Sequence, residues 1–451
     1  MSPRDSVPCV RIGEGAGYSG AWLGPAVQLA TCGALDYLTF ECLGERTVAL
    51  AQANRLTNPA RGYDPFLARR MRAVLGPCYS NGTRVITNAG AANPEAGGAC
   101  VIEVAHSLGL RGLRVGVVTG DDVLSSLDLD TLKLDETGMP LRELAGRILS
   151  ANAYIGAEPL VQALDQGAHV VIAGRVADPS LALAALRYGF GWGADDWRHL
   201  GAGTAVGHLT ECGPQVTGGY FAEPGSKEVP QLSDLGYPIA ECRSDGSAVV
   251  TKLPGTGGVV STATCTEQLL YEVHDPAAYL TPDVTADFSG VQLEAQGADR
   301  ILVTGATGRA APETLKVTVG YRDGFLGEGQ ISYGGSGCLA RARLAGEIVV
   351  QRLTTLGLDL EDLQIQIIGW DSLYRRSPRA DVEPPEVRLR VVARAASRED
   401  AESIGEELEG LWIAGPYGGG GAARSIREVV AVGSVYLPRD RVHTALTILE
   451  V

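Results

Sequence analysis

Lysine is almost missing from this chain of 451 residues. Only Lys133, Lys227, Lys252 and Lys316 occur, and arginine supplies the rest of the 38 basic side chains. An amine that can give up its proton is therefore scarce, so each lysine merits separate inspection. The nine cysteines contain no C-x-x-C pair, which excludes a zinc ribbon or a thioredoxin-type couple. Their odd number, in a chain long enough to need no disulfide staple, fits reduced thiols and a cytoplasmic location. No stretch of about 18 apolar residues exists, so no membrane-spanning helix is expected. The opening MSPRDSVPCV lacks the charged-then-apolar layout of a secretory leader. A net charge of −15 repels phosphate polymers and argues against nucleic acid as a partner. No period of 20–50 residues recurs, which excludes solenoids and propellers.

What remains is ordinary globular chemistry, with 45% apolar and 20% charged residues. The length is about three times a typical domain of roughly 150 residues, so two domains are expected. In the first half, short apolar runs alternate with helical patterns. Strands are read at 9–13, 35–41, 84–88, 113–120 and 169–175, with helices at 22–31 and after Pro94, and a broken amphipathic helix over 141–166. That alternation predicts a parallel sheet covered by helices on both faces. After about residue 225 the period becomes two, in SAVVTKL, RILVTG, LKVTVGYRD, LQIQIIGWD and EVRLRVVARA. With helical patterns at 338–356 and 397–411, this half reads as an α+β domain. The expected division is thus 1–225 and 226–451, and GPYGGGGAAR (415–424) reads as a flexible loop.

Four constellations carry candidate chemistry. Gly15, Gly17 and Gly20 form a G-x-G-x-x-G between a strand and a helix, with Glu41 about 20 residues on, the layout of a dinucleotide site or of a general anion-binding turn. A tight turn in a chain with 59 glycines explains it equally well. Strand ends supply the second group: Asn88, Asp121, Asp122, Arg175 and Asp178 stand where ligands bind in open parallel sheets. Either aspartate of the 121–122 pair can be a base while the other caps the next helix.

Third, on a helix His208 shares a face with Glu211 and Cys212, ahead of Thr217. That face suits acid–base work, or alternatively a buried histidine satisfied by its neighbours; no further ligands point to a metal. Fourth, Lys252 precedes the turn Gly255-Thr256-Gly257, where amides and an ammonium can cradle a phosphate or carboxylate. Lys316 is a second, weaker cation.

Taken together, these segments resemble the acyclic terpene utilisation AtuA family. The resemblance runs from GEGAGYSGAW to GGGGAARSIREV through NAGAANP (88–94), TGDD (119–122), GRVAD (174–178), GHLTECGPQVTGGYF (207–221), TKLPGTGG (251–258) and EQLLYEVHDPAAYLTPDV (267–284). It implies a small branched acid or its acyl-CoA thioester as substrate, and it assigns no catalytic residue. The resulting expectation is a lyase-type enzyme that needs no cofactor. Lys252 and the 255–258 amides would hold the anion, Asp121 or Asp122 would be the base, and His208 or Glu211 the proton partner. Two other readings stand beside it: a nucleotide-dependent oxidoreductase using Gly15, Gly17, Gly20 and Glu41, and a non-catalytic acyl-binding subunit. The apolar segment 401–414 suggests a homo-oligomer.

Overall fold

The computed structural model describes residues 9–374 and 382–451. The first eight residues, on which the expectation about a secretory leader falls, lie outside the described residues. Along the chain come β1 (Cys9–Glu14), α1 (Leu23–Cys32), β2 (Tyr37–Phe40), α2 (Glu45–Thr57), α3 (Leu67–Asn81), β3 (Arg84–Thr87), α4 (Pro94–Ser107) and β4 (Arg114–Thr119). Then follow β5 (Ile148–Ala153), α5 (Glu158–Asp165), β6 (Val170–Ala173), α6 (Ser180–Phe190) and α7 (Trp197–Glu211). β7 (Pro238–Arg243), β8 (Ala248–Lys252), α8 (Thr262–Leu270), β9 (Tyr279–Leu280), β10 (Thr285–Asp287), β11 (Gln292–Gly297), β12 (Arg300–Thr304) and β13 (Thr307–Arg309) come next. The chain closes with β14 (Thr314–Gly334), α9 (Cys338–Leu356), β15 (Leu360–Ile368), β16 (Glu386–Ala395), α10 (Arg398–Glu409), α11 (Leu411–Ala414), β17 (Gly420–Pro438) and β18 (Ala445–Glu450).

The class is mixed α/β, as the alternating pattern predicts. Two compact units are distinguished: the chain up to Gly320 together with Val432–Val451, and Tyr321–Ala431. In the first, one sheet runs β11-β12-β8-β7-β1-β2-β3-β6-β4-β18. Its centre, β1-β2-β3-β6-β4, is parallel, while β7 and β18 flank it antiparallel. The middles of the central strands are largely apolar because both faces are covered, and polar residues gather at their ends. α1, α3 and α4 contribute Leu29, Met71, Val74 and Val101 to the core on one face. α5, α6 and α7 contribute Leu160, Leu181 and Val206 on the other. Each such leucine or valine stabilises the fold by ~1.5–3 kcal/mol when fully buried. Local signals fix the helix starts: the Asn93 side chain accepts from the Ala96 amide at 3.3 Å with Pro94 at the first turn.

The second unit has the order β15-β16-β14-β17, connected strand-helix-strand-strand-helix-strand, the split arrangement of ferredoxin-like folds. α9 and α10 cover one face, over Ile331, Leu389 and Val391.

Three expectations need correction. The division at 225/226 falls inside the first unit, because β7 and β8 continue the β1 sheet through pairs such as Ile12 with Ala240. Within 141–166, Ile148–Ala153 is a strand, not helix. Small buried residues such as Ser150 and Ala151 suit either period, and pairing with β14 decides between them. Finally, Gly420–Arg424 belongs to β17, so the glycine-rich loop ends at Gly419.

Candidate functional site

Connectivity picks out one position along the parallel edge. From β3 the chain enters α4 on one face of the sheet; from the adjacent β6 it enters α6 on the other. Between such strands the loops diverge and leave a crevice, the usual ligand position in open α/β sheets. Here the loops after β2, β3 and β6 bring Glu41, Asn88, Arg175 and Asp178 together.

Side chains knit these loops to one another. Asn88 Oδ1 accepts from the Cys42 amide at 2.8 Å, and its Nδ2 donates to Glu41 Oε1 at 2.9 Å. Glu41 Oε1 also accepts from the Leu43 amide at 2.9 Å. Arg175 is 1% exposed, and its guanidinium donates to the Leu43 and Val176 carbonyls and to Asp178 Oδ1. Its plane stands 4.3 Å from the Tyr154 ring centroid. Tyr154 Oη donates to Glu45 Oε1 at 2.9 Å, and Lys316 Nζ donates to the same oxygen at 2.6 Å.

Above them lies a hollow of about 250 Å³, with Tyr154, Asp178, Tyr279, Leu280, Lys316 and Tyr436 in its wall. Asp178 is the acid that meets it, its side chain 38% exposed although Arg175 beneath is buried. Burial pushes the Asp178 carboxyl up, and the Arg175 charge opposes that shift. Burial would likewise raise Glu45, but the Lys316 and Tyr154 bonds hold it below its ordinary value.

A buried layer supports this one. Glu14 at the end of β1 accepts from the Ala16 and Glu41 amides and from Thr39 Oγ1. Burial pushes its carboxyl up to about 7, and that of Glu41 up to about 8, the latter aided by Asp178. His208 Nδ1 meets Glu211 Oε1 at 2.9 Å, while its ring stacks on Phe288 at 5.7 Å and tilts against Tyr279 at 5.1 Å. Burial lowers His208 to about 4 and raises Glu211 well above its ordinary value, with Asp178 and Glu14 adding to the latter. His208 Nε2 and Glu211 Oε2 have no protein partner among the described residues.

These shifts have opposite consequences for stability. An acid whose folded value is raised contributes fully below its ordinary 4.5 and loses that contribution as pH climbs through the folded value. His208 contributes above 6.5 and loses it as pH falls towards 4. Between pH 6.5 and 8 only the acids titrate, so stability should decline there. Glu41→Gln keeps an acceptor for Asn88 and should flatten that decline in urea titrations. An unchanged slope in the variant would show that Glu41 is not the group responsible.

Several expected site residues lie elsewhere or are already engaged. The Gly15 and Gly17 amides donate to the Thr39 and Glu41 carbonyls. Gly15 is required because a Cβ there would sit 2.3 Å from the Phe40 ring, and Gly17 because one would sit 2.6 Å from the Cys212 carbonyl. The turn serves close packing, and α1 starts only at Leu23, past Gly20. Asp121 is locked, its Oδ2 accepting from Asn152 Nδ2 at 2.8 Å and the Arg175 amide at 2.9 Å. Asp122 is exposed and accepts from the Leu124 amide at 3.2 Å, as a turn cap does.

Thr217 Oγ1 donates to the Gly236 carbonyl at 2.7 Å and pins a turn. Lys252 Nζ donates to the Thr256 carbonyl at 2.8 Å and pairs with Asp299 at 3.1 Å with its side chain buried, whereas the Lys316 side chain, paired with Glu45, stays partly exposed. The Gly257 amide donates to the Asp234 carbonyl, and Gly255, at φ 81°, shapes an exposed bend. The cation at the hollow is therefore Lys316, and Lys252 is not among its lining residues.

Glu14, Glu45, Tyr154, Tyr279 and Tyr436 did not stand out in the sequence as site residues. Glu14 ends β1 as Asn88 ends β3, so the strand-end rule reaches it. Glu45 reads as an ordinary first-turn acid of α2, and no local signal joins the tyrosines.

Comparison with known proteins adds little chemical detail. No curated protein matches the chain. A homoserine dehydrogenase from Thiobacillus denitrificans of known structure aligns over 88% of this chain and 82% of its own at 11% identity. Its TM-score of 0.16 is too low to carry an argument about fold or activity. The sequence model of acyclic terpene utilisation family protein AtuA matches residues 10–448, nearly the entire chain, and the protein belongs to that family.

Proposed function

We propose that the protein is a lyase-type enzyme acting on a small branched carboxylic acid, free or as its CoA thioester. One observation carries the reading: a partly exposed carboxylate, Asp178, and an ammonium, Lys316, meet at one hollow beside the loop after β6. Loss of water next to a carbonyl needs a base for the carbon-bound proton, an acid for the leaving oxygen and a cation near the carbonyl or carboxylate. Asp178 takes the first role, in place of Asp121 and Asp122, whose oxygens are bound or remote. Tyr279 in the wall is the group nearest to hand for the leaving oxygen, backed from the buried layer by Glu211, whose carboxyl burial pushes up and His208 holds, and Lys316 attracts the anion. A volume of about 250 Å³ is below the ~300–1,000 Å³ of drug-sized pockets and suits the reacting end of a molecule.

The dinucleotide reading loses its main support, since the Gly15 and Gly17 amides are used within the turn. A panel of branched acids and their thioesters tests the proposal through the melting temperature. Ligand at about 100 times its Kd adds ~2.7 kcal/mol to the folded state. That stabilisation should vanish in Lys316→Met and survive in Lys252→Met. The reverse pattern would return the anion site to the 252–258 turn. Binding without conversion of any panel member would favour the acyl-binding subunit.

A further inference from the structure

The ten-stranded sheet treats its two edges differently. At one end β11 is guarded: Glu294 and Gln296 are exposed, and its register against β12 slips between Ala295 and Gly297. Bulges and polar side chains of this kind discourage edge-to-edge pairing. At the other end β18 keeps an unbroken register against β4 from Ala445 to Glu450, and its run ALTIL has neither charge nor proline. The Val451 amide donates to the Leu113 carbonyl, so by alternation the backbone groups of Thr447 and Leu449 also face β4. Those of Leu446 and Ile448 therefore point away from the sheet, and no hydrogen bond within the chain reaches them among the described residues.

Both faces of this strand are apolar and only partly covered. Leu446 and Ile448 lie on the α5 face: a Cβ on Gly116 would meet the Ala163 side chain at 2.8 Å and Ile448 Cδ1 at 3.6 Å. Leu449 lies on the α4 face, its Cδ1 3.3 Å from where a Cβ on Gly98 would stand. All three are half-buried, whereas residues 170–173 of β6, in the middle of the sheet, are buried without exception. Thr447, on the α4 face with Leu449, is exposed.

We propose that β18 pairs antiparallel with β18 of a second copy of the chain, about a two-fold axis at Thr447, so that the sheet continues from one copy into the other. In this register Leu446 of each copy faces Ile448 of the other on the α5 face, and their outward amides and carbonyls exchange hydrogen bonds. On the α4 face each Ala445 meets the Leu449 of the other copy, and Thr447 meets its own counterpart. Apolar side chains thus oppose apolar side chains on both sides of a threonine pair. Moving the axis to Ile448 would set Leu446 against Glu450 and lose the match. This self-complementarity singles out a second copy, because a two-fold contact makes every such pair twice. An unrelated extended peptide gains only the strand bonds.

Light scattering of the full-length chain over a concentration series tests this. Wild type should be a dimer. Thr447→Lys and Thr447→Glu should each weaken dimerisation about ten-fold or more, because the axis sets like charges side by side. Mixed together, the two variants should dimerise again as a heterodimer. Hydrogen exchange of the wild type needs no variant: the Leu446 and Ile448 amides should be protected where the dimer forms and exchange freely on dilution. A monomeric wild type, a dimer indifferent to either charge, or a mixture no tighter than its components would overturn the proposal. So would protection of these two amides that persists in the monomer, as pairing with a captured peptide would give.

Discussion

Arg175→Met should cost the fold ~3–5 kcal/mol, the penalty for removing one partner of a buried ion pair. Arg175 is almost fully buried and ties its own loop to the one after β2, through Leu43, Val176 and Asp178. Its loss leaves two carbonyls short of a donor and sets the Asp178 charge beside Glu41 and Glu211 with no nearby guanidinium. Arg175→Lys should recover only part of the loss, since a point charge cannot replace a planar fork stacked on Tyr154. Arg175→Met/Asp178→Leu should be less destabilised than Arg175→Met alone, because the unpaired charge goes too. Urea unfolding midpoints read all three. A single variant as stable as wild type would mean that the charges around Arg175 are solvated rather than buried.

Asp178→Asn should have the larger effect on chemistry and a small one on the fold. Asparagine preserves the shape and an acceptor for Arg175 but cannot take a proton. Loss of a general base lowers turnover typically ~10²–10⁴-fold. Removing a negative charge from a wall shared with Lys316 should at the same time tighten binding of an anionic acid. Tighter binding with lost turnover separates a base from a residue that merely shapes the hollow, which would weaken both. Turnover within a factor of two of wild type would remove Asp178 from the chemistry.

Much of the first unit was legible because its signals are local. Continuous apolar strands, a proline at the start of α4 and polar residues just past each strand identified a parallel sheet and its ligand edge. The same rule found Asn88, Arg175 and Asp178, and the helical spacing of His208 and Glu211 placed them on one face. What failed depended on distant partners. Whether Lys252 or Lys316 faces the ligand turns on Asp299 and Glu45, each far from its lysine in sequence. The glycines of the first turn look like a phosphate cradle because close packing and anion binding make the same demand for a missing Cβ. Ile148–Ala153 could be recognised as a strand only through β14, which the chain supplies much later. The domain boundary moved for a similar reason: the change of texture near residue 225 marks antiparallel strands joining the same sheet.

Solvent deuterium offers the most direct trial of the acid–base reading. Incubated in D₂O with a branched acid or thioester that raises its melting temperature, wild type should wash label into the carbon beside the carbonyl, and Asp178→Asn should not. Label entering equally with both proteins, or with neither while the ligand stays bound, would contradict proton transfer by this carboxylate.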